Sequence, residues 1–309
     1  MSDRLREKLE TGSGFICLYG IAPPRATTDP ARLAEIAARH EARFRALDPD
    51  GLIVYDIQDE IERTPEARPF PFVATVDPET YAFEHLAGLT TPKIVYRCVR
   101  RMTTGAFTAW ATAVGAVGRP EYSVLVGGSS ARERGPGVDL AEAYPLVRRF
   151  APGLMLGGIA IAERHHRKGD EHLRVAQKVG QGCRFFVTQA IYDVSSSKSL
   201  LSDYALHVAA TGARAAPIIL TFAPCGSEKT MEFMKWLGIA FPRWLENELR
   251  HAPDVLERSI TLCERTFAEL LEFAREKRLP VGINVESVSI RKGEVDASLA
   301  LFERLRAKL

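Results

Sequence analysis

Long apolar runs are missing from this chain of 309 residues. The longest, residues 154–162, is interrupted by two glycines and falls far short of the roughly 20 residues a bilayer span requires. Charge of one sign is missing too: 41 Lys and Arg against 39 Asp and Glu leave a net +2, too little to argue for a nucleic-acid-binding surface. Cysteine is sparse. The five residues Cys17, Cys98, Cys183, Cys225 and Cys263 are scattered, odd in number and never in a C-x-x-C pair. That argues against a disulfide framework and a cysteine zinc site, and makes a reducing cytoplasm the expected compartment. The opening MSDRLREKLE has no apolar core, so a signal peptide is not expected. There is no repeat, no low-complexity tract, no linker-like segment, and no G-x-G-x-x-G after the first apolar run.

What the chain does have is alternation. Eight apolar runs of about six residues, rich in Ile, Val, Phe or Tyr, occupy 14–20, 51–56, 92–99, 122–127, 154–161, 184–189, 216–222 and 281–287. Neighbouring residues in them are both apolar, as in strands buried on two faces. Between them lie helical patterns at 29–47, 78–86, 103–117, 139–150, 169–179, 195–210, 226–249, 253–277 and 293–305, several opening on Asp-Pro or Pro-Asp cap signals. The expectation is an α/β fold, a single (β/α)8 TIM barrel over residues 1–309 with an extra helical segment around 239–277. A doubly wound sheet is the alternative. In a barrel the chemistry sits where strands end, so those positions are read first.

Strand 2 runs into Asp56-Ile57-Gln58-Asp59-Glu60, three carboxylates within five residues. Crowding and burial both raise a carboxyl pKa, which suits a general acid, although a solvated loop has the same composition. Strand 4 ends in Gly127-Gly128-Ser129, small enough for a ligand to approach backbone amides, or an ordinary turn. Residues 164–178 carry five Lys or Arg and three His beside only two acids, a composition suited to an anion or to a solvated helix face. The adjacent His165 and His166 diverge, and no H-x-x-x-H with a helper carboxylate appears, so metal ranks below anion binding and no metal site is expected. Gln189 ends strand 6 with an amide that can both donate and accept. Strand 8 holds Asn284 and Glu286, and one of these should face the barrel interior.

Segment 158–193 (GIAIAERHH…EHLRVAQKVGQGCRFFVTQAIYD) resembles the methylenetetrahydrofolate reductase family's pattern P-E-x-H…D-L-x-x-L-x-x-K-x-x-A-G-A-x-x-x-x-T-Q-x-x-F-D. Residues 239–245 match its I-P-x-W, and Ala22-Pro23-Pro24-Arg25 matches the end of its F-E-F-F-P-P-R. The resemblance spans nearly the whole chain, and the T-Q block is its specific part. It implies a barrel that holds FAD and passes hydride from NADH or NADPH to 5,10-methylenetetrahydrofolate, in a homo-oligomer. It places His165 near the flavin, Glu171 on the ribose, and Arg174, Gln177 and Lys178 toward the cofactor phosphates, with Ser129 at the strand-4 cradle. Gln189 would meet flavin and folate, with Tyr19 and Gln58 as further substrate contacts.

The departures from that pattern fall on its chemistry. Gly20 stands where the family has its proton-donating glutamate, Tyr55-Asp56-Ile57-Gln58 replaces T-Y-G-A, residues 94–98 lack the strand-3 histidine, and residues 126–129 lack the strand-4 aspartate. Three readings follow: a divergent folate reductase, a folate or flavin barrel for other one-carbon chemistry such as methyl transfer, and a non-catalytic subunit. New carboxylates at strand ends favour catalysis. Asp56 ranks first as the replacement acid because it directly follows the buried run LIVY, Glu286 second because strand 8 adjoins strand 1, and Glu60 third.

Overall fold

Eight parallel strands pair in chain order and close, β8 returning to β1. The computed structural model describes residues 3–60, 64–128 and 137–309. The strands are β1 (Ile16–Ile21), β2 (Gly51–Val54), β3 (Lys93–Cys98), β4 (Tyr122–Val126), β5 (Met155–Ala160), β6 (Phe185–Ala190), β7 (Ile218–Phe222) and β8 (Val281–Glu286). The outer layer begins with α1 (Arg4–Thr11), α2 (Pro30–Leu47) and α3 (Pro78–Thr80), the last running into a π turn at Tyr81–His85. It continues with α4 (Thr104–Val117), α5 (Leu140–Phe150), α6 (Ala162–Lys168), α7 (Glu171–Gly180) and α8 (Val194–Thr211). It ends with α9 (Glu228–Trp236), α10 (Arg243–Arg250), α11 (Val255–Glu276) and α12 (Lys292–Arg306). The fold is thus the expected (β/α)8 barrel, with three helices, α9, α10 and α11, between β7 and β8.

Continuous apolarity in the strands has two destinations. Ile16, Leu18, Ile53, Ile94, Val124, Phe185, Val187 and Ile219 fill the barrel, while Leu52, Val54, Val95, Leu125, Leu220 and Ile283 pack outward under the helices. Each such side chain, fully buried, contributes about 1.5–3 kcal/mol. The Asp-Pro signals act as N-caps: Asp29 accepts from the amides of Ala31 and Arg32, and Asp77 from those of Glu79 and Thr80. Asp254 does the same for α11 through the Glu257 amide.

One element escapes the sequence reading. The charged opening segment forms α1, whose Leu5 and Leu9, one turn apart, pack into the barrel's inner core at the end opposite the strand C-termini. Asp3 caps α1 and also takes the Tyr122 hydroxyl. This plug closes the amino-terminal end and leaves the C-terminal mouth for ligands. Among the described residues no helix is long and apolar enough to cross a membrane.

Candidate active site

At the C-terminal mouth the inward positions of β1 and β8 meet. In their ladder Gly20 lies opposite Glu286, and Leu18 opposite Asn284. A β-carbon on Gly20 would come within 2.7 Å of the Tyr55 ring and 2.8 Å of its hydroxyl. The space a side chain would take at position 20 is therefore filled from β2. Asn284 is fully buried; its Nδ2 donates to the Tyr55 hydroxyl at 2.9 Å and to Thr221 Oγ1 at 3.3 Å, leaving its Oδ1 with no partner. Tyr55 stands edge-on to Tyr96 at 4.9 Å, so two aromatic rings line the mouth beside the carboxyl.

Glu286 is half-buried here. Loss of water around its carboxyl pushes the pKa up, and the neighbouring polar groups of Tyr55 and Asn284 offset part of that rise. The same surroundings, desolvation first and the nearby Glu286 carboxyl second, hold the Tyr55 phenol protonated well above its ordinary range. A carboxyl with its pKa raised by desolvation, beside a phenol at the barrel mouth, is an acid in waiting.

The segment after β2 forms the rim. Arg68 donates to the carbonyls of Asp59 at 2.7 Å and Gln58 at 3.4 Å, and its guanidinium stacks on Trp236 at 5.0 Å and on Phe72 and Phe233 at 5.4 Å. Trp236 Nε1 donates to the Glu66 carbonyl at 3.0 Å, tying α9 to this loop. The Pro23-Pro24-Arg25 segment pairs with it from the other side: Arg25 and Thr75 form an antiparallel bridge, and the Val76 amide donates to Pro24 O at 2.9 Å.

The other acids after β2 are placed differently. Asp56 Oδ2 accepts the Cys98 amide at 2.7 Å, and Oδ1 takes the Gln58 side-chain amide, so this carboxylate extends the β2–β3 ladder where the backbone pairing stops. Gln58 is thereby turned toward Asp56. Glu60 lies farther along the loop with a left-handed backbone, φ 53°. Gln189 does reach the mouth, and its Nε2 donates to Leu237 O at 3.0 Å, just past α9. Tyr19 points the opposite way from the pocket: its ring packs on Phe44 and Phe302 in the outer core, and its hydroxyl bonds Ser298 at 2.6 Å. The period of two puts Gly20, not Tyr19, on the inner face. Ser129 lies outside the described residues.

The residues that the resemblance assigns to FAD lie on α6 and α7, outside the barrel wall. Glu171 is fully buried, with Arg164 Nη1 at 3.0 Å and the Ile161 amide at 3.1 Å on its carboxylate. Arg174 pairs with Asp170 at 3.3 Å. Lys178 donates to the Ile159 carbonyl at 2.8 Å, and burial lowers its pKa. His165, buried, faces Asp203 on α8. Only Gln177 is exposed and uncommitted. With Glu171 and Lys178 held by internal partners, this set does not fit the ribose and phosphates of a flavin dinucleotide, and no chemical step is assigned to one here. An open surface groove of about 790 Å³ lies elsewhere, between α10 and α11 around Trp244, His251 and Arg258, remote from every strand end.

Fold and mouth together define a (β/α)8 barrel with a desolvated carboxyl at the β8–β1 seam. Neither a family model nor a curated protein sequence matches the chain. Among solved structures, an uncharacterized protein from Clostridium thermocellum that binds two copies of 5-methyl-5,6,7,8-tetrahydrofolic acid superposes with a TM-score of 0.87 at 41% identity, covering 99% of this chain and 100% of that one. The chain belongs to the family of that protein. More distant barrels share the fold alone. They include EDTA monooxygenase from Chelativorans sp. BNC1 (TM-score 0.53, 8% identity, covering 96% of this chain and 94% of that one). A chitinase domain from Pyrococcus furiosus is similar at TM-score 0.51 and 11% identity, covering 94% and 96%.

Proposed function

We propose that this chain binds a reduced folate across the C-terminal mouth of the barrel and acts on its one-carbon unit as a methylenetetrahydrofolate reductase does, with Glu286 in the place of the acid missing at Gly20. The observation that carries this reading is the ladder pair Gly20–Glu286: the carboxyl is moved one strand over, at the same height, onto the same inner face. The 41% identical relative, which binds 5-methyltetrahydrofolate, supports the ligand class.

The chemistry asks for such a group. The methylene bridge of 5,10-methylenetetrahydrofolate opens to the 5-iminium ion when N10 takes a proton, and hydride from NADH or NADPH then gives the methyl group. A carboxyl of ordinary acidity, pKa about 4.3, is protonated in only about one molecule in 500 at pH 7, and each unit of rise multiplies that fraction about tenfold. Desolvation at Glu286 works in this direction. Tyr55, fixed by the Asn284 amide, stands beside the carboxyl, and Gln189 on β6, two strands from β8, offers its amide to the pterin edge. Asp56 and Glu60 stand second to Glu286 as acids.

A second reading, methyl transfer out of 5-methyltetrahydrofolate, is favoured by the internal commitment of the flavin-assigned residues. There N5 must be protonated before it leaves, and Glu286 serves again. The test is incubation with 5,10-methylenetetrahydrofolate and NADH or NADPH, with and without FAD. Nicotinamide-dependent formation of 5-methyltetrahydrofolate is the expected result. Loss of methyl from 5-methyltetrahydrofolate to a thiol or corrinoid acceptor, without nicotinamide oxidation, would establish the second reading. Neither reaction, with folate still bound, would overturn both.

A further inference from the structure

In the helix layer outside β5 and β6, three helices bring imidazoles together. His165 comes from α6, His172 from α7, and Asp203 and His207 from α8. His165 is only 4% exposed, and its Nε2 lies 3.1 Å from Asp203 Oδ2. Its ring meets that of His172 edge-on at 5.4 Å, and His172 meets His207 at 6.1 Å. One donor atom from each of His165, His172 and Asp203 lies within 4.8 Å of the others. Both His165 and His172 keep a buried Nδ1 with no hydrogen-bond partner, an arrangement folded chains generally avoid. The helper carboxylate that the local sequence lacks arrives from 38 residues beyond His165.

We propose that His165, His172 and Asp203 hold a divalent first-row metal ion of the zinc class, with His207 in reach of the fourth position. Two or three imidazoles with one carboxylate are a donor set that zinc accepts and cobalt(II) reproduces. Metal–ligand bonds of about 2.0–2.2 Å place neighbouring tetrahedral donors about 3.4 Å apart, so the cluster must contract slightly. Asp203 and His207, neither fully buried, can supply that movement by side-chain rotation. The ion would clip α6, α7 and α8 together behind the wall that carries Gln189. This inference does not depend on the folate reading.

The experiment is a titration of tag-free, chelator-stripped protein with Co²⁺, followed by Zn²⁺. The expected result is one equivalent of Co²⁺ giving the visible absorption of a tetrahedral nitrogen–oxygen site, its displacement by Zn²⁺, and a Tm that rises with metal concentration. His172→Ala and, separately, Asp203→Asn should weaken Co²⁺ binding by more than the roughly 10–100-fold that loss of a merely orienting group costs. The metal-free Tm of Asp203→Asn should stay near that of the parent, because that side chain is 46% exposed. Absence of saturable Co²⁺ binding by the unmodified chain, or binding unchanged in both variants, would overturn the assignment.

Discussion

Replacing Glu286 by Gln separates the two things its carboxyl does. Gln keeps the shape beside Tyr55 and Asn284 but carries no acidic proton. General acid catalysis is worth about 10²–10⁴-fold, or about 3–5 kcal/mol of barrier, so turnover of the one-carbon substrate should fall by that factor while folate binding changes little. Stability should move the other way. The folded pKa of Glu286 is raised by desolvation, so the native state favours the protonated form. The contribution of this group is fully present below its unfolded pKa of about 4.3 and is lost as pH rises through the raised folded value. Gln imitates the protonated form at every pH. The Tm of Glu286→Gln should therefore match the parent at acidic pH and exceed it increasingly as pH rises, levelling off once the raised folded value is passed. Steady-state assays from pH 5 to 9, with thermal melts at the same values, read both effects. A variant that turns over at the parental rate, or that melts lower than the parent at neutral pH, would refute the reasoning.

Other consequences follow from the same geometry. Tyr55→Phe removes a hydrogen bond that holds the Glu286 pKa down, so the alkaline limb of the pH–rate profile should move to higher pH; an unmoved limb would separate Glu286 from the rate. Gly20→Ala sets a β-carbon against the Tyr55 ring and should cost about 1–3 kcal/mol in denaturant melts, a loss that Tyr55→Leu should relieve in a double-mutant cycle. Additive losses would show that the ring is not the obstacle. Glu171→Gln breaks a pair whose acid is fully buried and whose Arg164 is partly open to water, so about 3 kcal/mol should be lost, the lower end for a broken buried pair. A stable variant that has lost only flavin affinity would restore Glu171 to cofactor binding.

The barrel was legible because buried parallel strands are apolar on both faces, and all eight apolar runs coincide with strands to within two residues at either end. Helix α1 was not, since two leucines among charged residues fix a plug only when the barrel is there to receive them. The division of the strand-5 connection into α6 and α7 turns on Gly169, which takes φ 68° at the C-cap of α6. At the site, the loss of the acid at Gly20 and the presence of Glu286 could be read locally, but their pairing needed the ladder register. Burial alone ranked Asp56 first; the amide of Cys98, 42 residues away, is what occupies it. Tyr55 carried a usable signal, because an inward tyrosine on β2 beside an inward glycine on β1 follows from the period of two. In the helix-layer cluster, His165 and His172 stood in the histidine-rich stretch 164–178, but Asp203, 38 residues beyond His165, had no local signature.

A reduced folate is proposed to lie at the mouth against Glu286. A crystal structure of the chain with 5-methyltetrahydrofolate tests it most directly. The pterin is expected over the β8–β1 seam, with a ring nitrogen within hydrogen-bond reach of the Glu286 carboxyl and its edge near Gln189 on β6. A pterin bound only away from the strand ends, or a Glu286 carboxyl still covered by Tyr55 with the ligand bound elsewhere, would contradict it.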